Sequence, residues 1–383
     1  MPEPLVVSWG ESPYEKRDGH ELYWHLWRAA AETLERAGLA HTDVDGLGVA
    51  SFMLPPGNVA TFAEHLGMRL SWAEQGAYGG ASVVVMLGRA ADAIRLGRAR
   101  AILLLSGDAF TVATHDAMLD GFTPAMGSYL APHGFGGANG IFALVQRQHQ
   151  HRYGSRREQL GKLAVRQRQH ALLNPNALFK VPLSLQDYLD ARLICEPLRL
   201  YDCVMPCSGA HGVLVVSDEV AQALDRPLLR VLAVGEAHNA HPQASSALPG
   251  GFEVYAERLF AEAGLTRGDV DLCELYDDYP IMVAIQLERY GFCAEGQGAA
   301  FIEATDTSIA GELPVNTGGG QLSCGQSGAG GGGIGLSHAI QQLQYEAGGW
   351  QVDDARVALV SGYGLVSYGR GLCTAGALLA RAA

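Results

Sequence analysis

The chain has 383 residues, 48% of them apolar and 17% charged, which makes it globular and long enough for two or three domains with large cores. Its formal net charge of −13 argues against nucleic acid and anionic membrane surfaces as main partners. The seven cysteines are odd in number and scattered, and no histidine cluster completes a zinc site around Cys203 and Cys207; this usage fits reduced thiols in a cytoplasmic enzyme with no bound metal.

The first twenty residues hold too short an apolar run for a signal peptide, and no window reaches the length of a membrane span. An amphipathic helix is predicted over Trp24–Ala37, stopped by Gly38 and followed by Asp43-Val44-Asp45 and a strand over Gly46–Phe52. The Gly79-Gly80 turn then opens a helix over Ala81–Leu96. The continuous apolar run Ala99–Gly107 has the signature of a central strand covered on both faces.

Residues 111–190 read as an inserted lid or loop region, first rich in Gly, Pro and Met and then polar and helical. The apolar side chains Phe110, Met118, Leu119, Phe122, Met126 and Leu130 would line a wide hydrophobic pocket or a dimer surface. The basic stretch Arg147–Arg168 reads as a solvated helix face or a phosphate contact.

The earlier grammar then recurs. A helix over Phe252–Ala263 ends at Gly264, Asp269-Val270-Asp271 follows, and a strand is predicted over Leu272–Tyr276. Glycines 330–333 open a helix over Ile334–Gln344, and the apolar run Ala355–Gly362 repeats Ala99–Gly107 one residue shorter. Two matches in the same order favour an internal duplication, with halves at 1–226 and 227–383.

The segment Asn316–Gly335 is half glycine. Glycine at that density serves close backbone approach and positive φ, and a loop of bare N–H groups feeding a helix is suited to hold an anion or a developing oxyanion. Its Gly328–Gly333 run matches G-x-G-x-x-G formally. No clean apolar strand precedes it, so a dinucleotide site is rejected.

Several longer runs resemble the thiolase superfamily, and more narrowly its bacterial lipid-transfer or sterol-carrier-protein type members. They are Asn174-Pro175-Asn176-Ala177, Ile194–Leu200, Glu274-Leu275-Tyr276-Asp277, Gly291-Phe292-Cys293 and Leu313–Gly319. The resemblance implies a duplicated αβαβα five-layer α/β fold, a homodimer, acyl-coenzyme A substrates and no cofactor besides the coenzyme A of the substrate. It also exposes departures. A thiolase needs a nucleophilic cysteine near the start of the first-half helix, where this chain reads Ala77–Ser82 without one. Tyr276 stands where the family usually offers a histidine, Gly325-Gln326-Ser327 replaces Gly-His-Pro, and Ser361-Gly362-Tyr363-Gly364 replaces a loop with a second cysteine.

Loss of the thiols removes acyl-enzyme chemistry but leaves an environment for a thioester enolate. That environment suits retro-aldol cleavage of a β-hydroxyacyl-CoA. Tyrosine at these positions resembles the steroid-degrading aldolase branch, whose members release propionyl-CoA and act with a small zinc-ribbon and OB-fold partner.

The expected catalytic groups are Tyr276, Tyr363 and Asp278, with the phenols lowered in pKa by nearby N–H groups or cations. The expected oxyanion and substrate contacts are Gly80, Cys324, Gly325, Gln326 and Ser327. Each tyrosine has a packing alternative, Asp278 could instead cap the helix at Pro280, and Cys324 could be a small buried apolar residue. Two other activities stay open: a thiolase-type acyl-CoA C-acyltransferase, and an inactive scaffold subunit.

Overall fold

Each Ala-Gly-Leu…Asp-x-Asp motif builds the same piece of structure in the computed structural model. Helix Leu22–Ala37 stops at Gly38 (φ 71°) and helix Ala256–Ala263 at Gly264 (φ 68°), both in the left-handed conformation that glycine adopts without a Cβ penalty. The next residue closes each helix: Leu39 N–H donates to Leu34 O, and Leu265 N–H to Phe260 O, both at 3.0 Å. The first Asp of each motif ties its own turn, Asp43 accepting from Ala40 N–H and Asp269 from Thr266 N–H. The second Asp clips the start of the next central strand. Asp45 accepts from the N–H groups of Arg100 and Ala101 (both 2.9 Å), and Asp271 from those of Arg356 and Val357 (both 2.8 Å).

The structure describes residues 1–16, 19–110, 114, 126–135, 137–244, 248, 250–367 and 370–382. Its strands are β1 (Pro4–Glu11), β2 (Gly46–Ala50), β3 (Trp72–Gly76), β4 (Ala101–Asp108), β5 (Leu193–Cys195), β6 (Leu198–Arg199), β7 (Gly209–Ser217), β8 (Leu229–His238), β9 (Leu272–Glu274), β10 (Val357–Ser367) and β11 (Arg370–Arg381). Nine of them form one mixed sheet in the order β3-β2-β4-β7-β1-β8-β11-β10-β9, while β5 and β6 make a separate hairpin.

The pairing repeats from one end of the sheet to the other. β2–β4 and β9–β10 are parallel, β4–β7 and β10–β11 antiparallel, and β7–β1 and β11–β8 antiparallel. Where β3 runs parallel beside β2, a single parallel bridge from Val315 to Cys273 stands beside β9. The two parts join through Leu5 opposite Arg230 and Val6 opposite Leu229.

Three apolar clusters explain the layering. Helices Ser82–Arg95 and Gly331–Leu343 share one cluster, in which Val83, Met86 and Ile94 meet Leu336 and Ile340. That cluster also takes Ile102, Leu104 and Val213 from one part of the sheet and Val360, Ala375 and Leu379 from the other. Such helices, buried almost all round, belong to the interior. Leu26, Leu34 and Phe62 cover Leu47, Leu105 and Leu214, and Phe252, Phe260 and Ile285 cover Leu359 and Leu378. The architecture is α/β with a mixed sheet and helices packed against it.

The expected elements are all present, with ends shifted by a few residues. The Phe252–Ala263 helix divides into a 3-10 turn, Phe252–Val254, and helix Ala256–Ala263. The inserted region carries helices Gly137–Tyr153, Arg157–Leu173 and Leu185–Asp190. Much of its basic face is taken up by the protein's own carboxylates: Arg147 pairs with Glu196, Arg156 and Lys162 with Glu303, Arg157 with Asp202, and Arg166 with Asp306. Of the apolar lid side chains, Met118, Leu119 and Phe122 lie outside the described residues, as does His115. Phe110 and Met126 are buried and Leu130 is half-buried. Among the described residues no helix is long and apolar enough to cross a membrane, and no group of His, Cys, Asp and Glu could hold a metal ion.

Candidate active site

The glycine-rich segment does hold anions, and they are the chain's own carboxylates. Helix Gly320–Cys324 opens on Gly320 (φ 58°). There the buried Asp277 carboxylate accepts from Gln321 N–H (2.8 Å), Leu322 N–H (3.2 Å) and the Gln167 side-chain amide (2.7 Å). Further on, Gly328 (φ 57°) starts the 3-10 turn Gly328–Gly330. The buried Asp108 accepts there from Ala329 N–H (2.8 Å), and on its other side from Ser51 Oγ (2.6 Å) and Met53 N–H (2.8 Å).

Burial raises both acids against these hydrogen bonds, Asp277 to about 7 and Asp108 to about 6. Glu274, at the end of β9, accepts from Thr317 N–H and Oγ1, and burial pushes it up to about 8.

Most other N–H groups of the segment are already used. Gly325 N–H donates to Gln321 O, Gln326 N–H to Met205 O, and Gly330 N–H to Ser327 O. The expected cradle of bare N–H groups is therefore largely spent on holding the segment's own shape.

Beyond β9 the chain runs Leu275–Tyr279 as a loop into helix Pro280–Arg289, and successive side chains leave on opposite sides. Asp277 turns to the glycine segment. Tyr276 and Asp278 turn to a small, partly open cavity of about 70 Å³, lined also by Gly80, Phe142, Gln326, Tyr363 and Val366. The Tyr276 and Tyr363 rings lie 6.2 Å apart at 42°, and Phe142 lies 6.2 Å from Tyr363. The Gln326 amide reaches the Tyr276 hydroxyl at 3.5 Å, whereas Asp278 Oδ1 and Tyr363 Oη have no hydrogen-bond partner among the described residues. Orphaned polar atoms beside a cavity are what a site awaiting a polar substrate presents.

Gly80 is explained by the same geometry. A Cβ there would lie 2.2 Å from Tyr276 Cε2, so only glycine lets the phenol enter. The backbone of Tyr276 is held by two residues to which the sequence assigned no role. Ser361 Oγ accepts from its N–H (2.9 Å), the Gln286 amide donates to its carbonyl (2.7 Å), and Ser361 Oγ donates to Gln286 Oε1 (2.5 Å). The available signal for Gln286 was a lone amide in the otherwise apolar run Ile281–Leu287.

The structure brings together Gly80, Tyr276, Asp278, Gln326 and Tyr363, and corrects the rest. Cys324 is fully buried away from the cavity, among Tyr14, Ala171, Cys207 and Ile334. Its thiol donates to Gly318 O at 3.1 Å, and burial holds it well above the usual thiol range. Gly325 and Ser327 do not line the cavity either, because Gly325 (φ 111°) turns the chain away at the end of its helix and Ser327 is enclosed behind Gly328. Asp278 caps nothing: helix Pro280–Arg289 has Tyr279 at its N-cap and no side-chain cap bond.

The phenols also move opposite to expectation. No cation among the described residues lines the cavity, and burial, with Asp278 close by, pushes both Tyr276 and Tyr363 above the usual phenol range. Burial and the neighbouring Asp277 raise Asp278 well above an ordinary carboxyl. His211 and His338 are buried around Glu11 and His133 is exposed, so none of the three reaches the site.

Fold and site define a thiolase-like protein in which phenols and a carboxyl stand where thiols and imidazoles would be expected. Residues 233–371 match the thiolase C-terminal domain-like family. The chain is 31% identical to the steroid side-chain-cleaving aldolase of Thermomonospora curvata, over 83% of this chain and 85% of that one. It is 30% identical to the 17-hydroxy-3-oxo-4-pregnene-20-carboxyl-CoA lyase of Mycobacterium tuberculosis, over 84% and 86%. The solved Ltp2-ChsH2(DUF35) aldolase superposes with a TM-score of 0.86 at 26% identity, covering 99% of this chain and 98% of that one. The chain belongs to the thiolase superfamily, within the bacterial steroid side-chain-cleaving aldolase branch.

Proposed function

We propose that this chain, a carbon–carbon lyase of thiolase fold acting on an acyl-CoA thioester, performs retro-aldol cleavage of a β-hydroxyacyl-CoA whose acyl group is a steroid side chain. The carrying observation is the convergence of Tyr276, Tyr363, Asp278 and Gln326 on one cavity that no described thiol or imidazole lines. Cleavage needs an acceptor for the β-hydroxyl proton, donors for the enolate oxygen and a donor for the α-carbon. The unpartnered Asp278 Oδ1 takes the hydroxyl proton. The Cα–Cβ bond breaks, giving a ketone or aldehyde and a thioester enolate. Tyr276 and the Gln326 amide, which already meet, donate to the enolate oxygen. Tyr363 passes a proton to the α-carbon, releasing a short acyl-CoA such as propionyl-CoA. Phenols kept neutral by burial suit hydrogen-bond donation, so their upward shift fits this division of work.

A cavity of about 70 Å³ holds the reacting carbons and not a ring system, so the bulk of the substrate would lie outside it. The repeated strand pairing and shared Asp clips support a duplicated five-layer architecture divided near residues 226 and 227. Assembly as a homodimer with a small zinc-ribbon and OB-fold partner, in the cytoplasm, completes the proposal. The partner rests on the DUF35 component named for the similar solved aldolase.

The acyltransferase reading lacks a thiol nucleophile at the cavity among the described residues. The decisive test supplies the protein and its partner with a β-hydroxyacyl-CoA bearing a tertiary hydroxyl, without free CoA. Equal amounts of ketone and short acyl-CoA by mass spectrometry are expected. A requirement for free CoA, or an acyl adduct on Cys324, would sink the lyase mechanism.

A further inference from the structure

Two of the carboxylates found on the glycine-rich segment, Asp277 and Asp108, each meet a glycine turn; they have no part in the bond-breaking steps, yet both are buried at considerable desolvation cost. Their placement is paired. Asp277 sits over Gly320, where a Cβ would fall 2.1 Å from its Oδ2. Asp108 sits over Gly328, where a Cβ would fall 2.2 Å from its Oδ2. Each glycine has a φ near 57–58°, and each carboxylate takes backbone N–H groups just beyond that glycine. Asp277 comes from the loop between Tyr276 and Asp278, and Asp108 from the end of β4. Between the two grips lies Gln326, whose amide faces Tyr276.

We propose that Asp277 and Asp108 are positioning residues, a two-point clamp that grips the glycine-rich segment just beyond Gly320 and just beyond Gly328 and sets Gln326 against Tyr276 across the cavity. This rests on the lyase reading above. Asp277 has the stronger grip, because one rigid loop carries it together with Tyr276 and Asp278. Any shift of helix Gly320–Cys324 relative to that carboxylate is a shift relative to the reacting groups. Its hydrogen-bond partners are all donors, so the ionised form is the one that clamps. The groups facing Asp277 are Tyr276, Asp278, Glu274 and Cys324, all raised by burial. Helix Arg157–Leu173 adds Arg168, bonded to Ser323 Oγ, and His170, bonded to Asn316 O and lowered by burial to about 4.

Asp277→Asn tests the clamp with little change in volume. The Asn carbonyl can keep the Gln321 N–H, and its NH₂ can meet Gln167 Oε1, which has no partner in the wild type. The Leu322 N–H loses its acceptor. In the intact complex, kcat is expected to fall ~10²-fold with KM changed less than ~3-fold, as for a small misplacement of reacting groups. The melting temperature should stay within a few degrees. The acid limb that Asp277 adds to kcat near pH 7 in the wild type should disappear in the variant, leaving only the limb set by ionisation of Asp278.

Amide hydrogen exchange across residues 320–329 should quicken in both Asp277→Asn and Asp108→Asn. Unchanged exchange overturns the clamp. Quickened exchange with wild-type kcat reduces it to a structural tie and overturns the positioning role. Tyr276→Phe is measured alongside: if it retains full activity, the lyase reading fails on its own, whatever the exchange shows.

Discussion

Two glycine junctions meet at the site, and they share a backbone but not a purpose. Gly79–Ala81 and Gly328–Gly330 are both 3-10 turns that open with φ 57° and run straight into a buried helix, Ser82–Arg95 and Gly331–Leu343. Each closes with the same hydrogen bond, Ala81 N–H to Tyr78 O and Gly330 N–H to Ser327 O. The middle residues differ. Gly80 leaves room for the Tyr276 ring, whereas Ala329 keeps a side chain and donates its N–H to Asp108. One junction thus admits a reacting group and the other is tied down. A local fold can therefore be kept while its chemistry is exchanged by a single Cβ.

The comparison breaks most directly at Tyr276. Tyr276→Phe should lower kcat by ~10²–10³-fold, the range for losing an oxyanion donor, with substrate binding little changed; steady-state kinetics and a binding assay separate the two. A fully active variant would reduce the first junction to packing. Gly80→Ala should approach that loss from the other side, because its Cβ would collide with the Tyr276 ring. The loss should be at least ~10-fold in kcat, with the fold kept by circular dichroism, as expected when a reacting group shifts by about an ångström.

Asp108 sharpens the second junction through pH. Burial raises its pKa from 3.8 to about 6, so the folded state holds the proton more tightly than the unfolded chain. Its contribution to stability is then full below pH 3.8 and is lost as pH rises through about 6. Relative to Asp108→Asn, wild-type stability should decline by up to ~3 kcal/mol over that window, read from denaturant melts at stepped pH. A difference that stays flat with pH would mean Asp108 is not buried as described.

Cys324→Ala should leave cleavage within ~2-fold of wild type, since a thiol acting on substrate would cost far more. Ala329→Gly, the smallest change, should cost ~0.5–1 kcal/mol through backbone entropy and leave kcat unchanged.

Much of this was legible in the chain itself. The Asp43/Asp45 and Asp269/Asp271 repeats announced twin helix–turn–strand units because glycine stops and Asp turns are local chemistry. The cavity residues Tyr276, Asp278, Gln326, Tyr363 and Gly80 were picked out by their place in family motifs, which spacing preserves. Cys324, Gly325 and Ser327 were misplaced because adjacency in a glycine-rich loop says little about which way each residue faces. Gln286 and Ser361 drew no role because they act on the Tyr276 backbone rather than on a side chain, one from the next helix and the other 85 residues further on.

The sequence alone determined the class: α/β of the thiolase kind, with thiols and imidazoles absent from the places where thiolase chemistry needs them. Periodicity, glycine stops and motif spacing are local properties, and they survive in one dimension. Only the tertiary structure decided which anion the glycine-rich segment holds and how the tyrosines behave. Hydrogen-bond donors are consumed or left free by partners over a hundred residues away, as Asp108 is for Ala329. A phenol's proton affinity is likewise set by desolvation and by neighbouring charge, and both exist only once the chain has closed around it.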